Sequence, residues 1–396
     1  MPFLLLSALA VLIAACGLPP GEADEQAPAA SVFQFGHPDS VLLWTPEQQA
    51  AGFPNYDLIH PTRPIAASSR PTALRARPVD FGNLRYEVGG HSYGLDDFLA
   101  HNHVTGVMVV QDGAVLLERY SGASGQSVRW VSYSVAKSVV SLLLGAAIQD
   151  GYISSVDDRV TDYLPLLEGS AYDAVTIRDV LRMSSGVAWN EDYSDPQSDV
   201  SREIDFGAVD RLQFLGEKPR VAEPGTRFNY STGEIFLAGS VVRAAVGNNL
   251  SSYLHQKIWE PYGMEADAHW MLVEPGGPEY AGCCLSATLR DHARLGMFVL
   301  GDGMLDDGTR VVPEGWVDAS TSPSPTNPGY GYLWWLGDDG SFAARGIFGQ
   351  LIHIDPASNL VIAMHGMWPE PGGEAYTEHR EAFIAAVSRE IAARRP

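Results

Sequence analysis

The stretch from Val131 to Ile153, VSYSVAKSVVSLLLGAAIQDGYI, constrains this chain more than any other. Between Val139 and Ile148 only Ser141 and Gly145 interrupt a run of aliphatic residues and alanine. A helix apolar on most of its faces belongs in a core, so the rest of the chain must supply layers that bury it. Lys137 stands at the start of this run, where a bare ammonium is costly. Ser134 lies one turn earlier on the same helix face. In one reading Ser134 caps the helix and Lys137 reaches back to solvent. In the other, the free N–H groups and dipole of the first turn favour negative charge developing at Ser134. Burial then favours a neutral lysine, which can take the serine's proton. The Ser-x-x-Lys spacing alone leaves both readings open.

The layers that could bury such a helix are visible on either side of it. TGVMVVQDGAVLLERY reads as two strands joined at Asp112-Gly113, a strong hairpin signal. GYGYLWWLG, FAARGIFG, QLIHID and LVIAMHG read as strands near the other end, and a helix from Glu374 to Arg394 closes the chain. Between them TIRDVLRMSSG, GEIFLAGSVVRAAVG and ATLRDHARLGMFVLGDG have helical spacing and end near glycine. Residues 29–100, rich in Pro, Gly and Arg, are expected to wrap the surface. The predicted fold class is therefore α+β. One antiparallel sheet of about five strands, built from both ends of the chain, is flanked by helices, with a mostly helical domain at about 155–320 inserted. A site between the two parts is expected, because clefts form there.

SYSVAKS resembles the nucleophile motif of the serine β-lactamase and penicillin-binding-protein superfamily. The resemblance runs over about residues 90–390, through DGYISSVDDRVTDYLP and TIRDVLRMSSGV to FNYSTGE, which places Tyr230 where class C β-lactamases and related esterases carry a catalytic tyrosine. NEDYSDPQSDV, FNYST, ARGIFGQLIHIDP and YTEH further resemble, in order, segments of the 6-aminohexanoate-dimer hydrolases. The resemblance implies Ser134, Lys137 and Tyr230 as catalytic residues. It also implies an oxyanion hole from the backbone N–H groups of Ser134 and Ile347, and a substrate contact at Tyr193; Arg345, and Gly346 on a strand edge that substrate could approach closely, are further substrate-binding candidates. For Tyr230 to act as a base its pKa must fall from about 10, and a nearby lysine cation could lower it.

The sequence departs from these relatives in three places. Ala344-Arg345-Gly346 replaces the Lys-Thr-Gly of β-lactamases, so carboxylate recognition would rest on Arg345. The family's amine-binding aspartate falls on Ile204, and its asparagine near the site falls on Gly282. Cleavage of the aminohexanoate dimer is therefore not implied. The expected function is a serine hydrolase acting on a small ester or amide through an acyl-enzyme, with no metal and no cofactor. A β-lactamase or D-amino-acid peptidase, and a non-catalytic binding protein on the same fold, remain as alternatives.

Charge and cysteine usage bound the partners. With 48 acidic against 26 basic residues and a formal net charge of −22, nucleic acid is excluded as the expected ligand. MPFLLLSALAVLIAACG has the length of a signal peptide rather than a membrane span. Its Ile13-Ala14-Ala15-Cys16 end resembles a bacterial lipobox. Residues 1–16 then form a signal ending at a lipidated Cys16, 17–30 a tether, and 31–396 the hydrolase domain. The expected location is the periplasmic face of the outer membrane, with ordinary secretion as the alternative. Oligomeric state is left open. Cys283 and Cys284 are expected to be small buried residues, because a bridge between neighbours strains the peptide. His101 and His103 are read as loop residues rather than metal ligands. The acidic run Glu191 to Asp205 is either a solvated loop or a receptor for a cationic group.

Overall fold

The structure, a computed structural model, describes residues 35–394. The leader, Cys16 and the whole tether lie outside the described residues. The main sheet runs, in spatial order, Trp335–Leu336, Phe342–Gly346, Gln350–Asp355, Leu360–Gly366, Val104–Gln111, Ala114–Tyr120 and Arg75–Ala76. All neighbours are antiparallel except the last pair. The expected hairpin is present, with Asp112 and Gly113 both at positive φ (49° and 69°), the geometry whose twist matches the flanking strands.

The sheet is covered on both faces, which explains why its central strands read as mostly apolar runs rather than alternating ones. Side chains alternate along each strand. Met108 and Val110 join the cluster that holds the helix Val135–Gln149, together with Ala344, Ile352 and Ala363. Val107 and Val109 face the other way, toward Phe98, Phe383 and Val387. Phe383 and Val387 lie on the closing helix Glu374–Ala393, and its ring at Phe383 stacks on Phe98 at 3.9 Å between centroids. The helix Val135–Gln149 thus has the surroundings its composition demands, with Val135 to Ala147 buried throughout.

The middle of the chain is not solely helical. Ala268–Met271 and Leu285–Ala287 pair with Thr62–Ile65 and Trp130–Val131 in a second, four-stranded antiparallel sheet. Strands of two to four residues, paired across long sequence distances, leave too short a pattern to be read. Residues 35–100 do more than wrap the surface: Trp44, Phe53 and Tyr56 are buried against Trp130, Tyr133 and Phe348. Of GYGYLWWLG only Trp335–Leu336 is strand, because the chain turns at Leu333 (φ 64°).

Two buried histidines span the layers. His292 Nδ1 lies 2.9 Å from His365 Nε2, and His365 stacks on Trp130. Burial pushes His292 down to about 4 and His365 well below the ordinary histidine range. An unfolded histidine titrates near 6.5, so between those values the unfolded chain binds protons that the folded one refuses. Stability present above pH 6.5 is therefore lost as pH falls toward 4, by roughly 3 kcal/mol for His292 alone. The urea midpoint should drop between pH 7 and 4.5, and His292→Gln should shrink that drop. An equal drop in the variant would show that other groups set the acid limb.

Candidate active site

Ser134 is delivered by the second sheet. Its approach strand Trp130–Val131 pairs with Leu285–Ala287, and the Ser132 amide donates to the Leu285 carbonyl at 3.0 Å. Tyr133 then takes a positive φ of 45°, a conformation unfavourable for a bulky residue and held here by burial among Phe53, Tyr56 and Phe348. Ser134 follows at the N-terminal end of Val135–Gln149, with no capping bond from its side chain. Its hydroxyl is thus left for other work.

Lys137 does not reach solvent; only 2% of it is exposed. Its ammonium lies 3.0 Å from Ser134 Oγ, 3.0 Å from Thr232 Oγ1 and 2.7 Å from the Gly282 carbonyl. Burial pushes its pKa down to about 8, against the opposing charges of Glu191 and Glu203. Gly282 fits because a Cβ there would stand 2.8 Å from Thr232 Cγ2 and 2.9 Å from the Thr232 carbonyl. Thr232 and Gly282 were not expected as lysine partners. Thr232 lies in the FNYSTGE segment already singled out, two residues after Tyr230.

Tyr230 joins the same site but not with the expected acidity. Lys137 Nζ sits 5.2 Å from its ring centroid, and Trp335 stacks on its other side at 5.8 Å. Burial and the charge of Glu191 push the phenol up, and a hydrogen bond with Ser134 pulls only weakly the other way. Burial thus works against the depression a basic phenol would need, whereas it moves the lysine toward neutrality.

Gly346 carries extended backbone past the serine. A Cβ there would meet the Ser132 carbonyl at 2.4 Å and the Ser134 amide nitrogen at 3.2 Å. Ile347 follows directly and lines the site with Ser134.

Two cavities meet at Ser134. The more enclosed one, about 100 Å³, is walled by Val41, Leu42, Val200, Ile204, Met271 and Ile347, with Ser134 and Lys137 also on its surface. The more open one, about 280 Å³, is bounded by Tyr193, Tyr230, Trp335, Arg345, Gly346 and Arg380. Arg345 and Arg380 share one oxygen of Glu381, at 3.2 and 3.1 Å.

The acidic run turns out to be occupied by the protein itself. Asp199 pairs with Lys218, while Glu203 is held by Arg211 at 2.8 Å and by Tyr280 at 2.7 Å. Asp192 and Asp195 accept from backbone amides two residues on. What this segment turns toward the enclosed cavity is Tyr193, Val200, Ser201 and Ile204. Cys283 and Cys284 also line that cavity, with Cys284 buried as expected, and the chain makes a left-handed turn at Cys284 (φ 71°). His101 packs on His379 at 3.9 Å between ring centroids. Among the described residues no group of three or more His, Cys, Asp or Glu could hold a metal ion.

Comparison with known proteins places these features in a family. The family model described as Beta-lactamase matches residues 95–386. The chain is 28% identical over 351 residues to the 6-aminohexanoate-dimer hydrolase of Paenarthrobacter ureafaciens, covering 82% of this chain and 88% of that protein. Among solved structures, a Bacillus anthracis protein provisionally named as a 6-aminohexanoate-dimer hydrolase superposes with a TM-score of 0.79 at 19% identity, over 87% of this chain and 95% of the other. A family VIII carboxylesterase superposes with a TM-score of 0.57 at 17% identity, over 74% and 96%.

Proposed function

The chain belongs to the beta-lactamase family and is a serine hydrolase, and on that premise we propose that it cleaves an ester or amide bearing a neutral aliphatic acyl group. The observation that carries this reading is the contact between Ser134 Oγ and Lys137 Nζ, 3.0 Å long, on the surface of an apolar cavity.

In this reading the neutral amine of Lys137 takes the Ser134 proton as Oγ bonds to the substrate carbonyl carbon. The amides of Ser134 and Ile347 receive the resulting oxyanion. Tyr230, protonated because it is buried, gives its proton to the leaving oxygen or nitrogen as that bond breaks, and regains one from the Lys137 ammonium. Water then attacks the acyl-enzyme by the same route, releasing the acid and restoring Ser134. Anchoring through Cys16 and an envelope location belong to the same proposal, supported by the apolar leader and the pattern ending at that cysteine.

The enclosed cavity supports the acyl preference. Where an amine-binding aspartate was considered, Ile204 presents hydrocarbon, and a buried ammonium without a partner is costly. Turnover of p-nitrophenyl esters should rise roughly fourfold per methylene until the cavity is full, from ~0.8 kcal/mol per buried CH₂. An ω-ammonium acyl ester of matched length should be at least about tenfold poorer, and Ile204→Asp should narrow that gap. A wild-type preference for the ammonium ester would overturn the acyl assignment.

A further inference from the structure

The pattern of donors around Glu191 has no role in the reaction as described so far. Four donors converge on its carboxylate: Trp189 Nε1, the Thr232 amide at 2.9 Å, Tyr193 Oη at 2.7 Å and Thr232 Oγ1. An ionised carboxylate offers about four acceptor positions and no donor. Glu191 is thus saturated, and it is not available to a cationic substrate.

Its effect on Thr232 is directional. A threonine hydroxyl has one proton to donate. With that proton committed to Glu191, Thr232 Oγ1 can only accept from Lys137, from which it lies 3.0 Å. The Gly282 carbonyl, 2.7 Å away, can likewise only accept. A neutral amine has two N–H bonds and one lone pair. When both N–H bonds are taken by Thr232 and Gly282, the lone pair is left for the third neighbour, Ser134 Oγ at 3.0 Å.

We propose that Glu191 is a positioning residue for proton transfer at Ser134, acting through the Thr232 hydroxyl to aim the lone pair of Lys137. This rests on the acyl-enzyme reading. Without a full-time acceptor at position 191, Thr232 can turn its proton toward the amine and occupy the same lone pair. The ionisable groups facing Lys137 are Glu191, Glu203 and the phenol of Tyr230, with Tyr193 bonded to Glu191. Glu203 is already paired with Arg211, so Glu191 is the carboxylate linked to the lysine through a hydrogen-bonded hydroxyl.

The test is the pH dependence of p-nitrophenyl butyrate hydrolysis in Glu191→Gln, Thr232→Val, Thr232→Ser and the Glu191→Gln/Thr232→Val double variant. In Glu191→Gln the limiting kcat at high pH should fall ten- to a hundredfold, with KM within about threefold. Its acid limb should move to lower pH, because the charge that favours the ammonium is gone. Thr232→Ser, which keeps the hydroxyl, should recover most of the kcat that Thr232→Val loses, and the double variant should lose no more than the worse single variant. An unmoved acid limb, additive losses, or a fall confined to KM or Tm would assign Glu191 a purely structural role and overturn the proposal. If Glu191→Gln fails to fold, Thr232→Val and Thr232→Ser carry the same comparison, and equal activities of the two would overturn it. Failure of wild-type protein to turn over any ester would instead sink the acyl-enzyme reading on which the inference rests.

Discussion

Ser134→Ala leaves a protein that folds like the wild type and hydrolyses nothing. Turnover should fall by roughly 10⁴-fold or more, as when a nucleophile is removed from a set of groups that act together, and fluorophosphonate labelling should disappear. Stability should change little for a structural reason. Ser134 stands where a capping serine would stand, yet its side chain makes no cap bond. The usual penalty for losing a cap, ~1 kcal/mol, is therefore an upper bound. The contacts with Lys137 Nζ and the Tyr230 phenol are forfeited, and the amine keeps Thr232 and Gly282. Turnover within tenfold of wild type would remove Ser134 from the mechanism. A collapse in Tm would show that the serine holds the helix end rather than the substrate.

The same residues show why part of the site was legible in the sequence. Ser134 and Lys137 lie on one helix turn, so spacing alone brings them together, and an apolar run around a lysine marks the cost that needs explaining. Thr232, Gly282 and Glu191 come from segments far apart in the chain, and nothing local in YST, AGC or NED says that the first two meet one amine and the third holds Thr232. The central strands were readable because a sheet covered on both faces imposes long apolar runs, as in Val104–Gln111. The second sheet was not, since each of its strands is two to four residues long. The acidic run was ambiguous for a related reason. Composition records six carboxylates between Glu191 and Asp205 but not that Lys218 and Arg211 return to neutralise two of them. Tyr230 lies beside Lys137 in the structure, but whether its phenol is depressed could not be read from sequence. The lysine cation lies against the ring face, and desolvation of the phenol outweighs what that cation could do.

Gly346→Ala should cost about 10²–10³ in kcat, the price of losing one oxyanion donor. A methyl at this position would lie 2.4 Å from the Ser132 carbonyl oxygen and 3.2 Å from the Ser134 amide nitrogen. Neither neighbour is the movable end of a side chain. Ser132 is tied to Leu285 through its amide, and Gly346 is in register with Gln350 on the adjoining strand. The strand Phe342–Gly346 must therefore shift away from the nucleophile, taking the amide of Ile347 with it. Lys137 is held by Thr232 and Gly282, neither of which is among the near neighbours of a Cβ at Gly346, so Ser134 should remain activated. The variant should accordingly still be labelled by a fluorophosphonate, though more slowly, and its acid limb should stay where the wild type has it. Overpacking of this kind costs ~1–3 kcal/mol, so Tm should fall without loss of the folded state. Loss of kcat with an unmoved acid limb separates an oxyanion defect from a lysine defect. Activity within a few-fold of wild type would mean that the close approach of the two backbones is not what the reaction uses.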